Sequence, residues 1–390
     1  MTPETTHPEA RPLLGFLTAY VPEELFHAAG FTPVFIFHTP RDHGHARAHL
    51  PGFTCWVADS ALDQALAGEL DGLAGMALAQ TCDTIQGLTD LWRRNVPHIP
   101  LFHFGMPLRL DGPAARAYLL AELRSLRERV QALTGHPITD DALRHSIALY
   151  NHTRPLVRRL YARASVLPPS GGNTSVLPPS GGDRGGAPDL YALIRSAFQK
   201  PKETYNQALE HHLQSTTSPL HSPFSPLHSP PSPLLPPPSP PHLLLSGPAL
   251  ADPILFDILA QSGAHVVGDL LDLGERYFAV DVLEDDAGDP LAALADRLLA
   301  LVPTPTKHHP QRTRAAHLLS LVQERRADGV VFARQKFCEP HGFDYVQLAH
   351  ALDRAGVPHL LVELEQASQA GQLRTRVEAF VEMISQPHVP

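Results

Sequence analysis

Short apolar runs alternate along this chain with stretches of helical periodicity, a pattern that predicts parallel strands connected by helices. One apolar run, residues 73–78, ends in QTCD at 80–83, and apolar residues at helical spacing begin directly afterwards. A buried strand that delivers a cysteine into the loop before a helix occurs where open α/β sheets bind their ligands. This stretch therefore predicts a strand, a ligand-binding loop and a helix.

The same arrangement occurs a second time near the C-terminus. The apolar run VVF at 330–332 leads through QKFCEP at 335–340 into a helical stretch at 345–354. VPH precedes the next predicted strand in both copies, at 96–98 and at 357–359. The chain thus carries one βαβ unit twice, and in each copy a cysteine followed by an acidic residue lies at the end of a strand.

The remaining pattern predicts two domains of the α/β class. Strands alternate with helices over residues 13–164 and again over residues 242–390. We expect two related open parallel sheets of flavodoxin-like type, with helices on both faces of each sheet. A length of 390 residues, which exceeds one ordinary hydrophobic core, agrees with two domains.

Residues 165–241 interrupt this pattern. SVLPPSGG occurs at 165–172 and again at 175–182, and a proline- and serine-rich tract covers 218–241. Such a tract buries too little side-chain surface to offset the ordering of its backbone, so we predict a disordered proline-rich insert. A helical island at about 189–214 lies within it. The tract itself is interpreted either as a polyproline ligand or as a tolerated surface insertion.

Composition narrows the range of partners and compartments. The net charge is −9 and no basic run occurs, which argues against binding to nucleic acid. No apolar run reaches the roughly 18 residues of a membrane helix, and the polar N-terminus is unlike a secretion signal. Three cysteines at long spacing fit a reducing compartment better than a disulfide framework, so we expect a cytoplasmic protein.

The three cysteines are the candidate metal ligands. Taken singly, a cysteine beside an apolar strand is more often an inert core residue. Cys82 and Cys338, however, lie at equivalent strand ends, which face the cleft between domains, and Cys55 lies one helix earlier. Three thiolates would suit a [4Fe–4S] cluster with one iron free of protein, or catalytic zinc.

Six segments carry a resemblance to one known family. They are YVPEEL with the following AAG, C-x₄-S-x-LD, TCDT after LDG, VVGDLLDLGERYF, DGVVFARQKFCEP and GQLRTRVEAFVE. Together and in this order they resemble the 2-hydroxyacyl-CoA dehydratase family, which also includes the benzoyl-CoA reductase subunits. The resemblance spans residues 13–160 and 242–386, nearly everything except the insert.

This resemblance implies a [4Fe–4S] cluster held by Cys55, Cys82 and Cys338, in a subunit that forms a heterodimer with a related subunit or a homodimer. It also implies an acyl-CoA substrate and a separate ATP-hydrolysing iron–sulfur activator that supplies one electron. The implied reaction removes water from a 2-hydroxyacyl-CoA. One-electron reduction of the thioester gives a ketyl radical anion, which expels the α-hydroxyl and makes the β-proton more acidic.

Polar residues near the predicted cleft are further candidates. Glu23 or Glu24 would supply an acid–base carboxylate, although charge at a helix N-terminus explains them equally well. Tyr20 would line the substrate pocket. Thr81 and Asp83, which flank a predicted ligand, would form hydrogen bonds to cluster sulfur or to substrate.

Three basic residues complete the candidate site. Lys336 would offset the negative charge of the cluster, or be solvated. Arg374 and Arg376, at the start of the last predicted helix, would hold CoA phosphates. Ion pairing with Glu363 or Glu365 is the alternative, and we favour it slightly.

Three functions agree with these observations. The first is an iron–sulfur dehydratase or reductase subunit that acts on an acyl-CoA. The second is a partner subunit that bears a cluster and relays electrons without binding substrate. The third is a decayed paralogue, an alternative suggested by the insert.

Overall fold

The structure of the protein, a computed structural model, describes residues 11–39, 43–164, 190–215, 240–250, 254–285, 287–364 and 370–386. The duplicated SVLPPSGG segments, and residues 218–239 of the proline-rich tract, lie outside these ranges. Within the described ranges, no helix is both long enough and apolar enough to cross a membrane.

Two sheets of four strands form the framework, and all their strand pairs are parallel. The strands are β1 (Leu13–Phe16), β2 (Thr32–Phe35), β3 (Leu73–Ala79), β4 (Leu101–Phe104), β5 (His242–Gly247), β6 (His265–Leu271), β7 (Gly329–Gln335) and β8 (His359–Leu364). The N-terminal sheet has the order β2-β1-β3-β4, and the C-terminal sheet repeats it as β6-β5-β7-β8. The predicted α/β class and the relationship between the two sheets are confirmed.

Helices connect the strands, and local sequence explains several of their ends. The described helices are α1 (Glu23–Ala28), α2 (Trp56–Leu66), α3 (Asp83–Asn95), α4 (Pro113–Thr134), α5 (Asp140–Ala164), α6 (Leu190–Ser196), α7 (Lys202–Ser215), α8 (Ile254–Gln261), α9 (Glu275–Phe278), α10 (Pro290–Ala300), α11 (Arg314–Arg325), α12 (Glu339–Ala355) and α13 (Ala370–Ser385). The side chains of Asp289 and Thr313 cap α10 and α11 by accepting backbone N–H groups. Gly356, at a φ of 68°, ends α12 in the left-handed conformation that glycine adopts readily.

Alternate residues of each central strand belong to different cores. Met76 and Leu78 of β3 pack in a core with apolar residues of α2 and α3. Ala77 and Ala79 point the other way, into a larger core that includes residues of α4 and of both sheets. β7 alternates in the same manner between a core with α11 and α12 and the larger core. Each sheet is therefore covered on both faces, and the two inner faces share one core.

The helices predicted as an island within the insert are part of that shared core. The Tyr191 ring of α6 stacks on Phe256 with centroids 3.9 Å apart, and its hydroxyl donates to Asp269 at 3.0 Å. Phe198, between α6 and α7, packs against Tyr277 in an edge-on arrangement. The island therefore packs against the elements that connect the strands, although the sequence around it is of low complexity.

Candidate functional site

Each of the three cysteines is the residue that immediately precedes a helix. Cys55 is the N-cap of α2, Cys82 that of α3 and Cys338 that of α12. The first backbone N–H groups of a helix have no partner within the helix and carry its positive dipole end. All three sulfur atoms thus lie where the backbone favours negative charge, as it does for anions bound at helix N-termini.

The three cysteines line one cavity of about 110 Å³ between the two sheets. Much of its wall comes from the segments that follow strands of both sheets: residues 17–19 after β1, 81–82 after β3, 248–249 after β5, 272–273 after β6, and 338 with 340–341 after β7. The carboxyl ends of the two sheets therefore face each other across the cavity. This is the position in which open parallel sheets bind ligands.

Burial governs the protonation of the cysteines, and all three are free thiols. Burial raises the pKa of Cys55 to about 11 and that of Cys338 to about 12, and it also raises the pKa of Cys82. The thiols reinforce this effect, since charge on Cys82 raises the pKa of Cys55 and charge on Cys55 raises that of Cys338. A bound metal must therefore displace protons from these thiols.

The three cysteines supply the kind of donor that metal centres use. Among the described residues, no group of three or more His, Cys, Asp and Glu side chains forms a site that could hold a metal ion. The ligands of a zinc site surround one atom, whereas in a cubane each cysteine binds a different iron. Three thiols that line one cavity are the donor set that a [4Fe–4S] cluster would need, with one iron left without a protein ligand.

A histidine–aspartate pair, absent from the sequence-based prediction, also lines the cavity. His341 Nε2 lies 3.1 Å from Asp272 Oδ2. Burial raises the pKa of Asp272, but the charges of His341 and Arg276 and the hydrogen bond from His341 outweigh burial and leave the pKa below its ordinary value. Asp272 lies in one of the segments that carry the family resemblance and His341 directly follows another, and this position was the signal that could have identified them.

The segment between α10 and α11, residues 301–313, forms another part of the cavity wall, and we call it the crossing segment. The backbone carbonyl of His308 accepts a hydrogen bond from the Leu110 N–H, and the His308 backbone N–H donates to the Leu108 carbonyl, both at 2.8 Å. The Tyr20 hydroxyl accepts the N–H of Thr304 at 3.0 Å. Tyr20, predicted to line the substrate pocket, contacts the crossing segment through this hydrogen bond and is not among the residues that line the cavity.

The crossing segment also brings buried polar groups to the cavity. Thr304 and Thr306 both line it, and neither hydroxyl oxygen has a hydrogen-bond partner among the described residues. The second carboxylate oxygen of Asp272, Oδ1, is likewise unpaired. Buried polar groups are normally paired, so these three mark a place where a bound group could supply the partner.

The structure places the two predicted acid–base carboxylates away from the cavity. Glu23 forms an ion pair with Lys202 at 2.9 Å and accepts a hydrogen bond from Tyr277. Glu24 pairs with Arg154, and neither glutamate is more than 1% exposed. Burial raises the pKa of Glu24, but the nearby arginines outweigh it and hold the pKa below its ordinary value. These carboxylates join α1 to helices that follow it in the sequence.

The structure separates the remaining candidates into residues near the cavity and residues elsewhere. Thr81 lines the cavity, whereas Asp83 is exposed in the first turn of α3. Lys336 lies 5.3 Å from the ring centroid of Phe337, the residue before Cys338.

The two arginines of α13 do not line the cavity. Arg374 lies 3.7 Å from Glu378, and Arg376 donates to the Leu361 carbonyl at 2.7 Å. The favoured alternative, pairing with Glu363, is not observed, because Glu363 pairs with Arg334. Residue 365 lies outside the described ranges.

Known proteins resemble the chain over almost its full length. The family described as "2-hydroxyglutaryl-CoA dehydratase, D-component" matches residues 18–384. The chain is 25% identical over 372 residues to the (R)-phenyllactyl-CoA dehydratase beta subunit of Clostridium sporogenes, covering 95% of this chain and 91% of that protein. It is 27% identical over 385 residues to a benzoyl-CoA reductase subunit of Thauera aromatica, covering 96% and 91%. It is 25% identical over 383 residues to the (R)-2-hydroxyglutaryl-CoA dehydratase subunit beta of Acidaminococcus fermentans, covering 96% and 93%.

Proposed function

Because the chain belongs to the 2-hydroxyglutaryl-CoA dehydratase D-component family, we propose that it is the [4Fe–4S] subunit of a hydro-lyase that eliminates water from a 2-hydroxyacyl-CoA. The convergence of Cys55, Cys82 and Cys338 on one cavity is the observation that carries this proposal. Relatives named as dehydratase beta subunits support it and favour a second, related subunit as partner. An ATP-dependent iron–sulfur activator, as the donor of one electron for a ketyl-radical route, completes the proposal.

When bound, such a cluster would supply one-electron chemistry and one iron without a protein ligand, which can act as a Lewis acid. The chain itself contributes a polar environment within an apolar cavity. The N-termini of α2, α3 and α12 stabilise negative charge on the three sulfur atoms. Asp272 orients the His341 ring through Nε2, and the unpaired hydroxyls of Thr304 and Thr306 can bind an oxygen of the substrate.

Anaerobic purification with iron and sulfide analysis and EPR tests the proposal. Wild-type protein should contain about four irons per chain. Each of the three single variants, Cys55→Ser, Cys82→Ser and Cys338→Ser, should lack the brown chromophore, because each cysteine would hold a separate iron. Thr81→Ser is the matched control, because it alters the same cavity but keeps the hydroxyl. Full iron content in any one cysteine variant would refute this ligand set, and iron-free wild-type protein would favour a decayed paralogue.

Two observations favour a second candidate, a partner subunit or reductase-type subunit that relays electrons without binding substrate. A cavity of about 110 Å³ is smaller than the roughly 300–1,000 Å³ of sites that enclose ligands. The α1 carboxylates are also held in buried ion pairs rather than presented to the cavity. Equilibrium dialysis of the iron-loaded chain against a 2-hydroxyacyl-CoA separates the two functions. Binding by the chain alone supports the dehydratase role, and binding only after the partner is added supports the relay.

A further inference from the structure

Lys307 of the crossing segment is a buried lysine beside the loop that carries Cys82. Its side chain is 7% exposed, and its ammonium donates to the Gln80 carbonyl at 3.0 Å and to the Met106 carbonyl at 3.2 Å. Both acceptors belong to loops of the N-terminal sheet, whereas Lys307 lies between helices of the C-terminal half. The side chain therefore links the two halves at the loop that carries Cys82, a predicted cluster ligand.

No carboxylate among the described residues forms an ion pair with Lys307. The contrast with Lys202 is direct, because Lys202 is also buried and pairs with Glu23 at 2.9 Å. Burial lowers the pKa of Lys307 to about 8, and the thiolate form of Cys82 opposes this effect. A buried charge without a counter-charge is costly, so the position of Lys307 needs an anion that the metal-free protein does not supply.

We propose that Lys307 is a positioning residue for the cysteine centre: it holds the Cys82 loop through the Gln80 carbonyl and supplies the positive charge that balances bound thiolates. This inference rests on the proposed [4Fe–4S] cluster. Metal binding converts three neutral thiols into thiolates, and the ammonium bound to the Cys82 loop then acquires its missing counter-charge. Net charge near a cluster is one of the factors that set its reduction potential. Loss of the Lys307 charge should therefore disfavour reduction.

Redox titration of the iron-loaded protein, followed by EPR, tests this role separately from activity. Lys307→Met should make reduction at least tenfold less favourable, which is about 59 mV for one electron. Lys307→Arg, which keeps the charge, should stay close to wild type. Lys200→Met is the matched control, because it removes the same charge from an exposed position and should leave the potential unchanged.

The outcomes distinguish failure of this inference from failure of the proposed function. Wild-type protein without iron would refute the cluster itself. Iron-loaded Lys307→Met protein with the wild-type potential would overturn the role of Lys307 and leave the cluster intact. A third possible outcome is that Lys307→Met binds no iron. The inference then holds if circular dichroism shows that this variant is folded and if Lys307→Arg binds iron. Loss of iron in both variants would overturn it, because charge alone would then not be what the site requires.

Discussion

Replacing Lys307 by methionine should remove a pH-dependent penalty on the stability of the metal-free protein. Burial lowers the pKa of Lys307 from 10.5 to about 8 in the folded chain, and Cys82 opposes this only in part. Between these two values the Lys307 side chain binds fewer protons in the folded state than in the unfolded state, so its contribution to wild-type stability rises with pH in that window. Below about pH 8 the penalty is complete.

The magnitude follows from the difference between the two pKa values. It corresponds to about 3 kcal/mol of lost folding free energy at pH 7 and about 2 kcal/mol at pH 9. Methionine cannot donate the two hydrogen bonds to backbone carbonyls. Their loss destabilises the variant by about 1 kcal/mol for each bond and offsets part of the stability gained by removing the buried charge. That loss does not depend on pH. The stability of wild type relative to Lys307→Met should therefore rise by about 1.3 kcal/mol from pH 7 to pH 9.

Urea unfolding of both metal-free proteins at the two pH values, with reductant present, measures this change. Lys200→Met serves as the control for net charge, because Lys200 is exposed. A wild-type-to-variant difference that is identical at pH 7 and pH 9 would refute the reasoning. It would mean that the Lys307 ammonium is not destabilised by burial and does not require an anion.

Two further predictions concern groups near the site. Burial raises the pKa of Glu275 from 4.5 to about 7, the charge of Asp269 adds to this effect, and Arg325 opposes it. Ionisation of Glu275 therefore destabilises the folded state as pH rises through this window. The free energy of unfolding of Glu275→Gln, relative to that of wild type, should therefore increase by about 2.5 kcal/mol from pH 5 to pH 8. Urea unfolding measures this change, and a difference between the two proteins that stays constant with pH would contradict the prediction. Phe337 has a φ of 63° just before Cys338, so Phe337→Gly should raise the free energy of unfolding by about 1 kcal/mol, and a decrease would show that its side-chain contacts outweigh the backbone strain.

Several features of the fold follow from local sequence. The apolar run of β3 ends one loop before Cys82, and the matching run of β7 ends just before Cys338. Because both runs are followed at once by helical spacing, each cysteine lies at a helix start, as observed. Repetition of the pattern also predicted two related sheets, and their strand orders agree. Elements and their sequence-adjacent ends depend on neighbouring residues, which a sequence displays directly.

Other features depend on residues far apart in the chain. Local sequence predicts that Glu24 is a helix-terminal charge or an acid–base group. In the structure it is bound in the core by Arg154, which lies 130 residues away in the chain. The helical island lies in a low-complexity stretch, yet its Tyr191 bonds to Asp269, 78 residues further on. In both cases burial and partner choice are set by packing between elements, which local periodicity does not contain.

The cavity likewise combines features that follow from local sequence with features that depend on packing between distant residues. The sequence by itself determined the strand-end positions of Cys82 and Cys338 and the position of Cys55 one helix before Cys82, because each is a local feature of the chain. Only the tertiary structure decided that the two sheets face each other across a shared core, and that the crossing segment brings Lys307 within 3.0 Å of the Gln80 carbonyl, 227 residues away. Charge, desolvation and hydrogen-bond partners act through space, so the electrostatics of the site arise from packing rather than from any single stretch of chain.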